Sequence, residues 1–341
     1  MASERFLKAQ FGKQASFGTP AVAEAQFPAQ GEYEDAQEEH EAPFDAGVWT
    51  PQTIVAKVSD YATFTLKGTA FFELLPVLLN AGLDVAAPVG DDPYTYTYLM
   101  DPAAVGTPAP YTWLLGGGDD IGATGPAVKI QDAYLESLTL SGNLNSKQVA
   151  LECAWFGLKV DDNGGAGYTL APVALPTNLE MLKALLGQLN LKDAGTAGGS
   201  FAAMTAVSGK MLDWSLKITT GVKARWSADG NALTYGGIYF DAPAIEFTPT
   251  IRTDSATYAL VKAKQAARTY QELQLVLNGT STRKAQFDLT GRWTACPTAH
   301  AREGGELVMK PTFVCQTPHT QTTTPHYFGC KIISKYIHGG A

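Results

Sequence analysis

The stretch YLESLTLSG-NLNSK-QVALECAWFG, residues 134–157, alternates apolar and polar side chains on both sides of a short polar break. Alternation with period two marks a strand half buried against a core. The five-residue break NLNSK then makes a hairpin with a loop longer than the tightest type. Pairing the two runs puts Leu138 and Leu140 on one face with Val149, Leu151, Cys153 and Trp155. Ser137, Thr139 and Glu152 point the other way, toward water.

The same pattern recurs on either side. YATFTLKG (61–68), YTYTYLM (94–100), MLDWSLKITTG (211–221), IYFDAPAIEFTPTIRTD (238–254), ELQLVLNG (272–279) and KAQFDLTGRW (284–293) all read as strands. In the second half Trp214, Leu216, Ile218, Leu273, Leu275, Leu277, Phe287 and Leu289 make an apolar face, and Ser215, Lys217, Gln274, Gln286 and Asp288 a polar one. One packed face and one wet face is the antiparallel case, and Lys217 is expected to pair with a carboxylate of the adjacent strand. Helices are few. AFFELLPVLLNAGL (70–83) reads as a core helix kinked at Pro76, and SATYALVKAKQAAR (255–268) as an amphipathic helix opening at Ser255. Thr177 and Glu180 stand in capping-box spacing, which predicts a short helix to about Leu186, followed by a strand QLNLKD (188–193).

Each half thus holds alternating strands and one helix. The expected fold is mainly β, sandwich- or barrel-like, with two tandem domains at 51–175 and 176–313, an extended arm at 1–50 and an extension of unknown role at 314–341. The arm is polar and rich in Pro, Gly, Ala and Glu, so it is expected to add little to either core. Its spaced aromatics Phe17, Phe27 and Tyr33 become candidate anchors for contacts with another subunit.

Composition narrows the function. A chain of 341 residues with 45% hydrophobic content can fill sizeable cores, and a net charge of −8 opposes any general grip on nucleic acid, which needs Lys and Arg against phosphate. No secretory pattern follows Met1, and no window reaches the ~20 apolar residues of a membrane span. Four cysteines in this length imply a reducing compartment. LLGGGDDIGATG (114–125) lacks G-x-G-x-x-G spacing and reads as a loop, and neither a P-loop lysine motif, a G-x-S-x-G elbow nor an H-E-x-x-H motif occurs. The acidic runs read as solvated charge, so no catalytic residue and no cofactor is expected.

One cluster stands apart. Cys296 and His300, Cys315 and His319, and His326 and Cys330 each share the same spacing, and thiolate and imidazole are zinc's preferred ligands. The sequence around them, TPHTQTTTPHYFG (317–329), is a polar loop with two prolines. Unpaired cysteines and exposed histidines are therefore expected rather than a metal, with these six residues as the candidates if one binds.

The stretch LKAQFGKQASFGTPAVAEAQFPAQGEYEDAQEEHEAPFDAGVWTP (7–51) resembles the opening of the tail tube (major tail) proteins of long-tailed bacteriophages, where a GK…S/T-x-GT-x-VA phrase precedes a small strand and an acidic arm. The 134–157 hairpin is similar to that family's central hairpin, and the strands from 209 to 293 to its second half; residues 315–341 have no counterpart. The resemblance implies a non-enzymatic virion protein, assembled in the host bacterial cytoplasm, whose rings stack into a tube through arms that cross to neighbours. Rings would hold three copies if both halves are tube domains and six otherwise, and other tail proteins would meet the tube ends. DNA would pass without specific binding along a lumen lined by Ser137, Thr139, Glu152, Gln274, Gln286 and Asp288, with no membrane involved. Two other classes remain open: a carbohydrate-binding β-sandwich with exposed Trp and Tyr as sugar platforms, and a metal-dependent hydrolase built on the Cys/His stretch.

Overall fold

The computed structural model describes residues 4–6, 8–44, 52–100, 106–116, 127–193, 204–207, 211–226, 234–280, 282–296, 301–303, 306–316 and 327–336. It is 57% strand and 8% helical, a mainly β fold. The first half contains β1 (Glu4–Phe6), β2 (Lys8–Lys13), β3 (Ala25–Phe27), β4 (Ala29–Phe44), β5 (Gln52–Thr69), helix α1 (Leu75–Gly82), β6 (Tyr94–Met100), β7 (Tyr111–Gly116), β8 (Ala127–Asn143), β9 (Val149–Gly157) and β10 (Val160–Asp161). The second contains β11 (Gly187–Asp193), β12 (Thr205–Ala206), β13 (Met211–Thr219), β14 (Val222–Ala224), β15 (Ile238–Phe240), β16 (Ala244–Arg252), a helical stretch from Ser255 to Ala266, β17 (Gln271–Asn278), β18 (Lys284–Ala295), β19 (Ala301–Glu303), β20 (Glu306–Met309), β21 (Thr312–Cys315) and β22 (Phe328–Ser334).

The hairpin at 134–157 forms as its alternation requires, with Leu138 opposite Cys153 and Leu140 opposite Leu151. Its turn is fixed locally, since the Asn143 side chain accepts the backbone N–H of Asn145 at 2.7 Å. Leu138, Leu140, Val149, Leu151, Cys153 and Trp155 are all buried. Gly142 leaves room for the Trp214 indole across the β8–β13 pairing: a Cβ there would stand 2.3 Å from the indole nitrogen.

β8 continues in the other direction into a second layer. Its first residues pair with β7 and β10, whereas its later residues pair with β9 and β13. Between these stretches Asp132 has φ of 50° and the β8–β9 register slips between Leu135 and Ser137, the sort of irregularity that bends a strand. β7 pairs onward with β2, and β2 with β3, which makes a small layer folded over β5 and β9. Aromatic rings fill the space between. Trp113 of β7 meets Trp155 of β9 at 5.0 Å and Phe64 of β5 at 5.7 Å, with Phe11 and Phe27 at 5.6 and 5.7 Å. The Trp113–Trp155 and Phe27–Trp113 pairs are edge-on, and such pairs add roughly 0.5–1.5 kcal/mol each beyond their burial.

This layer corrects the reading of the arm. Ala9, Phe11, Ala25 and Phe27 are core residues, Phe27 with only 1% of its surface exposed. Two three-to-six-residue strands with alternating apolar positions were masked in the sequence by the polar, Gly- and Pro-containing residues around them.

Helix α1 also differs from expectation. It begins at Leu75, so Pro76 occupies the first turn and does not kink it; there its missing N–H costs nothing. All eight helical residues are buried. Gly82 lets the helix approach β8, because a Cβ would lie 2.6 Å from Thr220 Cγ2 and 3.0 Å from Leu135 Cδ2. After β10 the expected helix to Leu186 is a single 3-10 turn, Ala184–Leu186. In the second helical stretch Asp254 Oδ1 accepts the Thr257 N–H at 2.7 Å, so the cap lies one residue before Ser255.

The halves are joined in three ways. β8 pairs with β13, and β22 runs between β18 and β6, so the C-terminal segment supplies a sheet strand. One hydrophobic cluster extends from Ala9 to Ile332. The third link is ionic. Arg283, at the turn between β17 and β18, donates from Nε to Glu73 at 2.5 Å and from Nη1 to Glu180 at 2.9 Å, and from Nη2 to the Asn178 carbonyl. Glu180 thus serves Arg283 and the Thr280 hydroxyl, at 2.7 Å, where its spacing from Thr177 suggested a capping box.

Breaking a buried ion cluster by removing its cation leaves carboxylates uncompensated, which costs about 3–5 kcal/mol. Arg283→Ala is therefore expected to lower the urea midpoint by that equivalent, against less than about 0.5 kcal/mol for an exposed change such as Lys217→Ala. Burial raises the Glu180 carboxyl, but the Thr280 hydrogen bonds and the Arg283 charge outweigh it and hold the group below the usual carboxylate range. A depressed acid stabilises the fold above its unfolded pKa and loses that contribution as pH falls through the folded value. Wild type should accordingly lose more stability than Glu180→Gln when pH is lowered from neutral through 4, as thermal melts would record.

Candidate functional site

The outer surface of β5, β9, β8, β13 and β16 carries a row of side chains in register: Lys67, Glu152, Thr139, Lys217 and Glu246. Lys67 Nζ lies 2.9 Å from Glu152 Oε1, both side chains more than half exposed. The hydrogen bond and charge of Glu152 raise the Lys67 pKa. Lys217 stands opposite Glu246 in the register, but among the described residues no ion pair joins their side chains, and Glu246 Oε1 accepts the Thr248 hydroxyl at 3.4 Å. Thr65, Ala154, Ser137 and Thr219 form the flanking row on one side, and Ala150, Ser141, Ser215 and Thr248 the row on the other. All of these are half-buried or exposed. Across these five strands the face carries small and hydroxyl side chains with two cations and two anions, and its register continues through Val314 of β21 to Arg292 of β18. Opposite charges on neighbouring strands help the sheet.

Ser137, Thr139 and Glu152 therefore lie where the alternation put them. Gln274, Gln286 and Asp288 lie further along the same side of the sheet, which continues from Glu246 through Val314 of β21 to Arg292 of β18. They belong to β17 and β18, beside β11, and form a side-chain chain of their own. Gln188 donates to Asn190 at 3.0 Å, Asn190 to Gln274 at 2.9 Å, Gln274 to Asp288 Oδ1 at 2.9 Å and Gln286 to Asp288 Oδ2 at 2.9 Å. Gln274 and Asp288 are each only 9% exposed, which corrects the wet-face reading for both; Gln286 is half-buried. The reason is that β17 lies between β11 and β18, so amide side chains on three adjacent strands cover one another. Burial raises the Asp288 pKa, with the Gln286 and Gln274 donors working against it.

The arm aromatics separate similarly. Phe27 fills this chain's own core and is unavailable to a neighbour, Tyr33 is half-buried against that core, and Phe17 is at the surface, 37% exposed, beside Tyr235 at 5.8 Å. Of the six Cys/His candidates, His300, His319 and His326 lie outside the described residues. Cys315 pairs in register with Gly291 and Cys330 with Phe287. Four residues along β18 separate these partners by about 13 Å at ~3.3 Å each, too far for two sulfurs to share a metal. Burial raises the pKa of Cys296, Cys315 and Cys330, which disfavours thiolate. Among the described residues no group of three or more Cys, His, Asp or Glu is arranged to hold a metal ion.

A third feature had no signal in the sequence. β14 and β15 form a separate two-stranded ribbon at one end of the polar face. Beneath it Tyr134, Phe156, Val222 and Tyr235 make a second small core. These residues come from four separate segments with no common spacing, so only the folded chain brings them together.

No protein-family model matches the chain, and no curated protein matches it.

The two polar regions should respond oppositely to charge. Glu152→Gln removes an exposed partner and is expected to change stability by no more than about 0.5 kcal/mol. Asp288→Lys places an ammonium among buried amide donors and should cost more than about 2 kcal/mol. Chemical denaturation of both variants checks the assignment, and equal effects would contradict it.

Proposed function

We propose that the chain is the self-assembling subunit of a tube, the tail tube of a long-tailed bacteriophage, through which DNA passes without being held. The observation that carries this reading is the long ribbon of β4 and β5. Pairing between them extends through Phe44↔Gln52, but β9 accompanies β5 only over Ala62–Thr69 and β1 accompanies β4 only at Gly31, Glu32 and Tyr33. Among the described residues no third strand pairs with 37–44 or 52–58. Seven or eight residues per strand at ~3.4 Å reach about 25 Å. A two-stranded ribbon is marginal alone in water, and its open edges invite another chain. A second copy is the natural partner for such an extension in a protein built to repeat.

Sequence adds a constraint. β4 carries six carboxylates and no Lys or Arg, so like ribbons repel and the contact must be made to a different surface of the next subunit. Such a head-to-tail contact gives rings or stacks and no closed pair. The flat face of Lys67, Glu152, Lys217 and Glu246 with its Ser, Thr and Ala neighbours suits the wall of a conduit, since it offers hydration without net attraction for phosphate. This moves the lumen assignment onto Ser137, Thr139 and Glu152 with that row, and away from Asp288 and Gln274. Three copies per ring follow if each helix-bearing half fills one tube position. Virion localisation, other tail proteins at the tube ends, and the absence of catalysis belong to the same proposal.

Electron microscopy of concentrated protein tests it. Wild type should form rings or hollow tubes, and a variant in which residues 37–58 are replaced by a short Gly-containing turn should keep its circular dichroism but fail to stack. Wild-type protein that stays monomeric at high concentration over days overturns the proposal.

A further inference from the structure

Between the β14–β15 ribbon, the middle of β5 and the end of β9 lies an open cavity of about 510 Å³. Its walls include Tyr61, Phe156, Trp226 and Tyr239, with Glu136 and Lys223 beside them. Trp226 and Tyr239 are 46% and 49% exposed, unusually open for rings of this size. Trp226 is nevertheless held firmly. It meets Tyr61 edge-on at 5.8 Å and 80°, and Tyr235 at 6.2 Å and 73°. Tyr235 in turn packs edge-on against buried Phe156 at 5.7 Å. The indole is thus braced by the small core behind it while much of its surface faces solvent. Lys223 Nζ lies 3.3 Å from Glu136 Oε1, which sets a donor and an acceptor side by side with no net charge.

We propose that this groove binds carbohydrate, specifically a neutral hexopyranose with equatorial hydroxyls. The chemistry of the walls selects that class. A pyranose with equatorial hydroxyls has two flat faces of axial C–H bonds and a polar rim. Its faces match immobile aromatic rings, and its rim needs donors and acceptors together, as the Lys223–Glu136 pair supplies. The pair's neutrality favours an uncharged sugar over an anionic one. The volume falls within the ~300–1,000 Å³ usual for small-ligand sites, and an apolar lining with a few placed polar groups is their usual make-up. An indole braced by Tyr61 and Tyr235, as Trp226 is, loses little side-chain freedom when a ligand stacks on it, so the contact retains most of its gain. This site adjoins the polar face at Thr63 and the extended ribbon at Ser59 but includes no residue of the Lys67–Glu246 row, and it does not depend on the tube reading.

The full chain is titrated with cellotetraose by isothermal calorimetry and screened on an array of β-linked glucose, galactose and N-acetylglucosamine oligosaccharides. Saturable binding is expected, weakened at least tenfold by Trp226→Ala and by Tyr239→Ala and unchanged by Leu99→Ser, an exposed apolar change outside the groove. Circular dichroism checks each variant; if Trp226→Ala is misfolded, Tyr239→Ala, on a half-exposed ribbon position, decides alone. Absence of binding to cellotetraose and to every array sugar overturns the proposal, as does wild-type affinity in folded Tyr239→Ala protein. If wild type binds no glycan but Trp226→Ala and Tyr239→Ala abolish self-association, the groove seats a second copy and the carbohydrate proposal is wrong.

Discussion

β8 has to be a strand of two layers at once, and most of the molecule is arranged around that demand. Its first residues belong with β7 and β10, and its last with β9 and β13. A straight strand cannot do this, so the backbone turns at Asp132, in the left-handed region. For a residue with a Cβ that conformation costs on the order of 1 kcal/mol, and short polar side chains tolerate it best because they bond locally. Here the Asp132 carboxylate accepts the Gly18 N–H at 2.7 Å and its carbonyl accepts the Tyr235 hydroxyl at 2.5 Å. The bend is therefore tied to the loop after β2 on one side and to the small aromatic core on the other. From it follow the folded-over layer, the Trp113–Trp155 contact, and the pairing of β8 with β13 that joins the halves.

The two polar regions show how one composition can serve two ends. On β5, β9, β8, β13 and β16 short Ser, Thr and Ala side chains flank the charged row, so the surface stays open and the Lys67–Glu152 pair lies in water. On β11, β17 and β18 the outward side chains are amides and carboxylates long enough to reach across the strand spacing of ~4.8 Å. They bond to one another and close the surface, leaving Asp288 nearly as buried as a core residue. Period-two alternation identifies both faces but does not distinguish them, because exposure depends on what the neighbouring strand places alongside.

Legibility in the sequence followed element length and continuity. The hairpin at 134–157, the strand at 94–100 and the strands of the second half were readable because each supplies several consecutive alternations. Ala9 with Phe11, and Ala25 with Phe27, supply only two apolar positions each, and the Gly and Pro around them suggested an arm. β22 alternates Phe328, Cys330 and Ile332 with Gly329 and Lys331, but it follows a polar Thr- and Pro-containing run that reads as loop, and its partners β18 and β6 lie far away in the chain. Pro76 illustrates the ambiguity of a single residue: it marks a kink inside a helix and a start at its first turn, and packing chose the second. The exposed row with Ser137, Thr139 and Glu152 was legible as a face. The aromatic groove was not, since no local pattern links Tyr61, Phe156 and Trp226.

The central functional claim is that copies of this chain assemble with the Lys67, Glu152, Lys217 and Glu246 face turned inward. A cryo-electron microscopy reconstruction of the assembled protein measures this directly. The account predicts a hollow tube whose inner wall is formed by β5, β9, β8, β13 and β16, with the 37–58 ribbon seated on an adjacent subunit. Discrete monomers, or a tube with this face on its outer wall, would contradict it.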